Sequence, residues 1–311
     1  MLVVHGTERV PSEARRAVLA LGNFDGVHRG HQALIATALA EARRLGRPAG
    51  ALLFEPHPRE YFNPEAPHFH LTPLAEKLAI FEAMRLDAAV VLPFDAKLAA
   101  RDAEAFIRDI LVGALDVAHV VAGYHFFFGR NRGGSAETLR QAGEAQGFGV
   151  TVVEPVADRG EPFSSTAIRL ALAEGEVREA AAMLGRPWRV RGPVIGGAKR
   201  GTGLGFPTAN LALPKGTALG HGIFAVRVHL DDRALEGAAY LGTRPTFDDG
   251  RPVLEVFLFD FDEDIYGREL EVAFIDKVRD DRKFASAEEL IEQMQRDCDK
   301  AREILRATPA S

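Results

Sequence analysis

From Val18 to about Gly185, short apolar runs alternate with amphipathic stretches, and this alternation constrains the fold more than any other feature of the chain. "AVLAL" precedes "ALIATALAEARRLG", and "AGALLF" precedes "PLAEKLAIFEAMRLD". "AAVVLPF" then leads to "AEAFIRDILVGAL", "HVVAG" to "SAETLRQAGEAQG", and "VTVVEP" to "STAIRLALAEG". Continuous apolar runs of strand length are buried on both faces, and helices between them impose parallel crossovers. The expectation is a doubly wound, Rossmann-like parallel sheet in an α/β domain. Ligands of such sheets sit beyond the carboxyl ends of the strands, which is where "GNFDGVHRGH" falls.

The rhythm breaks after "LGRPWRV". Strand-like stretches follow, separated by Gly and Pro: "RVRGPVIGG", "GIFAVRVHL", "GAAYLG", "VLEVFLFDF" and "LEVAFIDKV". A small β-barrel is the natural expectation. One helix, "SAEELIEQMQRDCDKAREIL", closes the chain, with Ser286 and Glu289 at capping-box spacing. The expected boundary lies near Pro187, giving domains 1–186 and 187–311, with the single Trp188 packing at the junction.

Composition narrows the function classes. A length of 311 residues suits two domains, and a net charge of −6 offers no cationic excess for duplex nucleic acid. Cys298 is the one cysteine, so an internal disulfide and CxxC metal or redox pairs are excluded. The opening "MLVVHGTERVPSEARR" has no signal-peptide pattern, and no run reaches the ~20 apolar residues of a membrane span. A cytoplasmic protein with neither nucleic acid nor membrane as partner is expected. Oligomeric state is not legible.

In "GNFDGVHRGH", Gly22 and Gly26 permit tight backbone and a helix begins near Gly30. A helix N-terminus suits an anion, and His28 and His31 would add donors to phosphate oxygens. A metal pair, or two satisfied histidines at a turn, are the other readings of that spacing.

The surroundings carry more. "FEPHP" (54–58), "LTPLAEKL" (71–78), "GYHFFFGRNRGG" (123–134) and "SSTAIR" (164–169) follow in order. Together these stretches resemble the N-terminal half of the bacterial bifunctional riboflavin kinase/FMN adenylyltransferases, or FAD synthetases. The resemblance implies transfer of AMP from ATP to the phosphate of FMN. An anionic nucleophile needs no activated Ser, Cys or Lys, so the protein's task is alignment and charge stabilisation. It implies catalytic roles for His28 and His31 on the triphosphate, with Gly22, Asn23, Phe24, Asp25, His125, Ser164, Ser165, Thr166 and Arg169 as ATP- or phosphate-binding. Arg169 would clamp phosphate oxygens through two donors. Ser164, Ser165 and Thr166 open a predicted helix and could cap it as well. The family usually carries Asp where this chain has His125. The "PHP" around His57 reads either as a rigid turn or as a direct contact.

The second site starts from "GGAKRGTGLGFPTANL". It is neither a Walker loop nor a dinucleotide fingerprint, because no Gly-Lys-Ser/Thr follows and Pro207 interrupts it. Thr208 and Asn210 alternate on an extended segment, so both neutral oxygens point one way. The segment resembles the riboflavin kinase signature, which implies Mg²⁺ on Thr208 and Asn210 and ATP phosphates along Gly197, Lys199, Gly201, Gly203, Gly205, Pro207, Thr208 and Asn210. "LGTRPTF", "DIYG" and "VRDDRKF" extend the likeness, with Arg279 and Phe284 as flavin contacts. In "LEVFLFDF", Glu255, Phe257, Phe259 and Phe261 alternate onto one face. A carboxylate on an aromatic face is partly desolvated, which favours a general base. The resemblance independently makes Glu255 the base for the ribityl 5′-hydroxyl of riboflavin. Phe257 stands where many relatives have His, and Asp260, Asp262 and Asp264 read as solvated charges.

The resemblance spans roughly residues 15 to 305 and implies both steps, riboflavin to FMN and FMN to FAD, with ATP as co-substrate. Two alternatives stay open: one live activity only, through His125 or Phe257, or a non-catalytic flavin- or nucleotide-binding regulator. A regulator is expected to have lost His28, His31, Thr208, Asn210 or Glu255, and all five stand in the chain.

Overall fold

A computed structural model describes residues 1–66, 68–158, 160–196, 206–213, 216–243 and 252–309. They pack as two compact units, Met1–Ser165 and Thr166–Ser311.

The first unit is a six-stranded parallel sheet of β1 (Leu2–His5), β2 (Val18–Leu21), β3 (Ala49–Glu55), β4 (Ala88–Pro93), β5 (His119–Gly123) and β6 (Gly149–Val153), in the order β1-β4-β3-β2-β5-β6. Every residue of β2 is buried, as expected of a central strand covered on both faces. β1 is the strand that apolar runs did not announce; it adds to the edge of β4, with Val3 opposite Ala89. Helices α1 (Arg29–Leu45), α2 (Pro58–Phe62), α3 (Leu74–Ala83), α4 (Ala96–Ala100), α5 (Ala103–Ala105) and α6 (Ala136–Gln146) connect the strands. The expected helix over "AEAFIRDILVGAL" begins as α5 and continues as a π-helix, Phe106–Ala114. Two apolar cores flank the sheet, one around Leu19, Leu52, Phe106 and Val120, the other around Ala20, Ile35, Leu53 and Phe81.

A two-stranded ribbon, β7 (Ala157–Asp158) and β8 (Glu161–Pro162), precedes α7 (Ser165–Glu174) and α8 (Val177–Leu184). Apart from Ser165, these helices belong to the second unit. Lys277 Nζ donates to the Glu174 carbonyl, and Arg178 pairs with Asp276 at 3.3 Å.

The second unit closes a six-stranded antiparallel barrel from β9 (Arg189–Ile195), β10 (Ala209–Ala212), β11 (Gly222–Leu230), β12 (Arg233–Thr243), β13 (Pro252–Leu258) and β14 (Glu269–Arg279), in the order β10-β13-β12-β11-β14-β9. Leu254, Val256 and Leu258 are buried on one face of β13, while Val253, Glu255 and Phe257 take the other. Trp188 is buried and stacks on Phe274 of the barrel, ring centroids 5.2 Å apart. The closing helix, α9 (Ala287–Ala307), buries Cys298, Ala301 and Leu305 against Ala225, Ala238 and Ile275. Ser286 caps it, accepting from Glu289 N–H.

At the other end of α9, the Arg227 guanidinium donates to the carbonyls of Leu305, Thr308 and Pro309, placing a cation on the negative end of the helix dipole. Arg227→Met should lower unfolding stability by roughly 1.5–3 kcal/mol, the range for hydrogen bonds to charged groups. Urea denaturation followed by circular dichroism checks it.

Candidate functional site

The loop between β2 and α1 is built against its own preferences. Phe24 and Val27 hold positive φ angles of 52° and 40°, a region unfavourable for a β-branched residue, and Gly26 lies between them at 86°. Neighbours impose this shape. Gln32 Nε2 donates to the Val27 carbonyl at 2.9 Å, Ser165 Oγ to the Asp25 carbonyl at 2.8 Å, and Thr72 N–H to Asp25 Oδ1 at 3.2 Å. The Phe24 ring is fully buried, edge-on to Phe81 at 5.3 Å.

His28 is the N-cap residue of α1, and its side chain makes no capping bond there. Its ring instead stacks on His31, with centroids 3.7 Å apart and planes 26° apart. A Cβ on Gly30 would lie 3.1 Å from the His28 ring, so the missing side chain is what lets that imidazole settle over the helix start. His31 is half-buried, but its Nδ1 is fully buried with no hydrogen-bond partner among the described residues. Burial, then the neighbouring His28 and Lys77, hold His31 well below the ordinary imidazole value of 6.5. This pair can therefore donate to phosphate oxygens without His31 carrying a charge.

The remaining residues expected at this site divide by location. Gly22, Asn23, Phe24 and Asp25 form the loop itself, with Asp25 only 2% exposed. His125 is exposed in the turn after β5, at the same end of the sheet, beside Tyr124. Ser164 and Ser165 close the first unit, while Thr166 and Arg169 stand on α7 in the second. His57 supports the turn reading: it caps α2 by accepting from Arg59 N–H, in a box completed by Glu60, and stacks on His68 at 4.4 Å. Lys77 was not expected at the site, and it is completely buried beside His31. Only its place in "LTPLAEKL" pointed toward the site, because a lysine in an amphipathic helix ordinarily reads as a solvated residue. Among the described residues, no group of three His, Cys, Asp or Glu side chains could hold a metal ion, so the metal reading of His28 and His31 finds no support.

In the second unit, a cavity of about 310 Å³ opens on the outer face of the barrel under α9, lined by Thr208, Glu255, Phe257, Arg279, Phe284 and Cys298 among others. Register builds it: Glu255 of β13 lies opposite Asn210 of β10 on one side and Tyr240 of β12 on the other. Thr208 Oγ1 donates to Glu255 Oε2 at 3.4 Å, and Asn210 is 4% exposed. Phe257 packs edge-on to Phe206 at 5.2 Å, so an apolar wall stands beside the carboxylate. Arg279 lies 5.6 Å from the Phe284 ring centre, yet its fork is held by Asp297 of α9, with Nη2 2.7 Å from Oδ2. Gln293 donates to the same carboxylate at 2.7 Å. Asp297 is a site residue the sequence did not reveal, since nothing in a helix pattern says which acidic residue faces inward. Asp260 pairs with Arg302 at 2.9 Å instead of standing as a purely solvated charge. Pro207 is exposed just before β10. Gly197, Lys199, Gly201, Gly203 and Gly205 lie outside the described residues.

Residues 10–167 match the family described as FAD synthetase, and residues 184–305 match riboflavin kinase. The bifunctional riboflavin kinase/FMN adenylyltransferase of Escherichia coli (strain K12) is 39% identical over 306 residues, covering 98% of this chain and 97% of its own. The protein of the same description from Pseudomonas fluorescens is 40% identical, covering 93% of each chain.

The chain belongs to the bifunctional riboflavin kinase/FMN adenylyltransferase family.

A solved structure titled as a macrolide-efflux protein from Streptococcus pneumoniae shares the fold throughout, with a TM-score of 0.88 and 30% identity, covering 99% of this chain and all of that one. Its title names transport, whereas among the described residues here no helix is long and apolar enough to cross a membrane. The FAD synthetase match ends within α7, just past Ser165, whose hydroxyl donates to the Asp25 carbonyl of the β2–α1 loop. The riboflavin kinase match runs from the end of α8 into α9, and so includes both Glu255 and the Arg279–Asp297 pair.

Two outcomes follow from these geometries. His31 has its proton affinity depressed in the folded state, so between its folded value and 6.5 the unfolded chain binds more protons. Stability is therefore lost as pH falls from about 6.5. His119, also lowered chiefly by burial, adds in the same sense. Thermal unfolding of the parent and His31→Gln from pH 7.5 to 5 should show a shallower acid loss in the variant. Asp297→Ala leaves the Arg279 charge without its counter-charge and should cost about 3 kcal/mol in urea unfolding. The same variant should weaken riboflavin binding.

Proposed function

We propose that the chain makes FAD in two ATP-dependent steps, with riboflavin phosphorylated on the barrel and the resulting FMN adenylylated on the parallel-sheet domain. The observation that carries this reading is the presence of both family matches in one chain, each falling on a built set of polar groups. Residues 1–186 are assigned to the adenylyltransferase and 187–311 to the kinase, with "SSTAIR" serving the first reaction. Substrates and products are riboflavin, FMN, FAD and ATP. Neither nucleic acid nor membrane enters the reading, and the supply of ATP and the single thiol suit the cytoplasm.

In the kinase step, Glu255 takes the proton of the ribityl 5′-hydroxyl as its oxygen forms a bond to the γ-phosphorus of ATP, and ADP leaves. The half-buried carboxylate between Thr208 and the aromatic wall supports this role. Thr208 and Asn210 fit a hard cation: they offer neutral oxygens beside a carboxylate, a donor set that suits Mg²⁺ retaining several waters. When bound, Mg²⁺ would supply charge neutralisation on the ATP phosphates. Arg279 and Phe284 border the cavity where the flavin ring would lie.

In the adenylylation step, a phosphate oxygen of FMN forms a bond to the α-phosphorus of ATP as the bond to pyrophosphate breaks. The His28–His31 pair at the start of α1 donates to the phosphates, and the loop Gly22–Asp25 shapes their seat. Ser164, Ser165, Thr166 and Arg169 hold further phosphate oxygens, and His125 faces the nucleotide.

A timed incubation with riboflavin, excess ATP and Mg²⁺, resolved by chromatography, tests both steps. FMN should rise and then give way to FAD. Glu255→Gln should slow FMN formation by about 10²–10⁴-fold, the usual worth of a general base. His28→Ala should leave the chain making FMN alone. FMN accumulating in the parent would overturn the second activity, and flavin binding without conversion would leave a regulator.

A further inference from the structure

Five strands of the barrel bring one residue each into a single row. Asn210 of β10 lies opposite Glu255 of β13, and Glu255 lies opposite Tyr240 of β12. Tyr240 is in turn opposite Ile223 of β11, and Ile223 opposite Arg279 of β14. Directly opposed residues of an antiparallel pair share one face of the sheet, so the row runs along the outer wall on which the cavity opens. From Glu255 to Arg279 it covers three strand spacings, about 14 Å. All four residues of that span line the cavity.

The kinase reading uses the two ends of this span and leaves its middle unassigned. Ile223 is apolar and suits a flat ring. Tyr240 is the polar group between Ile223 and the carboxylate, and two neighbours place its side chain. Its hydroxyl donates to Asp281 Oδ2 at 3.2 Å, and Asp281 also lines the cavity. Along its own strand, Gly242 leaves the room in which the phenol lies, because a Cβ there would collide with the Tyr240 hydroxyl. With its proton directed at Asp281, the phenol oxygen meets a ligand as an acceptor, and an ionised carboxylate can only accept. The wall beside Glu255 therefore suits a ligand that brings hydroxyl donors to it.

We propose that Tyr240, held by Asp281, is a specificity-determining residue of the kinase site that reads the inner hydroxyls of the ribityl chain. The inference rests on the kinase reading above. A riboflavin with its terminal hydroxyl at Glu255 and its ring toward Arg279 and Phe284 lays the polyol between them across Tyr240. A phenol fixed before the ligand arrives needs little ordering on binding, so its bond to a ribityl hydroxyl adds to affinity. A site with such polar groups also discriminates against a ligand that lacks the matching hydroxyls, since those groups lose water without gaining a partner.

The test uses riboflavin and an analogue with the same ring and a hydroxypentyl side chain, which keeps only the terminal hydroxyl. Each is offered with ATP and Mg²⁺ to the parent, Tyr240→Phe and Asp281→Ala. The parent should prefer riboflavin. In Tyr240→Phe, kcat/KM for riboflavin should fall about 5- to 10-fold, the worth of one neutral hydrogen bond, chiefly through a higher KM. The value for the analogue should stay that of the parent, which also reports an intact site. Asp281→Ala should reduce the preference for riboflavin in the same way, because the phenol loses the group that orients its proton. Equal losses for both flavins in Tyr240→Phe overturn the proposal, since that is the mark of a residue that only holds the wall. An unchanged preference overturns it too. If the parent phosphorylates neither flavin, the kinase reading fails, and Kd values from quenching of flavin fluorescence decide the role of Tyr240. A loss of affinity in Tyr240→Phe confined to riboflavin then supports it, and an equal loss or none overturns it.

Discussion

The segment from Gly22 to His28 cannot hold its shape alone. Two non-glycine residues sit in left-handed backbone within four positions, a conformation worth keeping only when surroundings over-determine it. Those surroundings come from three directions: Gln32 on α1, Ser165 at the start of α7, and Thr72 and Phe81 on either side of Lys77. Much of the first unit therefore acts as scaffolding for one turn. The sheet delivers β2 to its end, and α3 braces the loop from the side. The stacked imidazoles are the product of that bracing.

The barrel solves a different problem. Glu255 needs no strained loop, because antiparallel register already places Asn210, Glu255 and Tyr240 in one row across three strands. What needs support is the apolar side of the cavity. α9 provides it by covering the outer face of the barrel and by fastening Arg279 through Asp297. The helix that ends the fold is thus also a wall of the barrel's cavity. Its two ends are fixed by different chemistry, a serine cap at Ser286 and the Arg227 guanidinium at the last carbonyls.

Much of this was legible in the sequence because burial leaves a periodic trace. The runs that became β2 to β5 are buried on both faces, and alternation in "LEVFLF" separated Glu255 and Phe257 from the interior of the barrel. Alternation after Leu258 misled, since the strand ends there and Asp260 turns with a positive φ to meet Arg302. β1 escaped notice because four residues on a sheet edge give too little pattern. The π-helix has the same apolar residues an α-helix would carry, and only the hydrogen-bond spacing differs. Lys77 and Asp297 are the informative misses. Periodicity reports where a side chain points, and a charged residue in a helix is taken to point outward unless its partner is known. Asp297 is held by Arg279, and Lys77 lies near enough to His31 to lower its proton affinity; both neighbours come from distant parts of the chain. The turn role of His57 is similar, because a histidine is not among the usual cap residues.

Cys298 has a practical side. It is the chain's only cysteine, it lies on the wall of the barrel's cavity, and burial pushes its thiol up to about 11. Such a thiol reacts slowly at neutral pH. The thiol is shielded by the same packing of α9 on the barrel that walls the cavity, so slow alkylation marks the closed arrangement and faster alkylation marks a helix lifted from it.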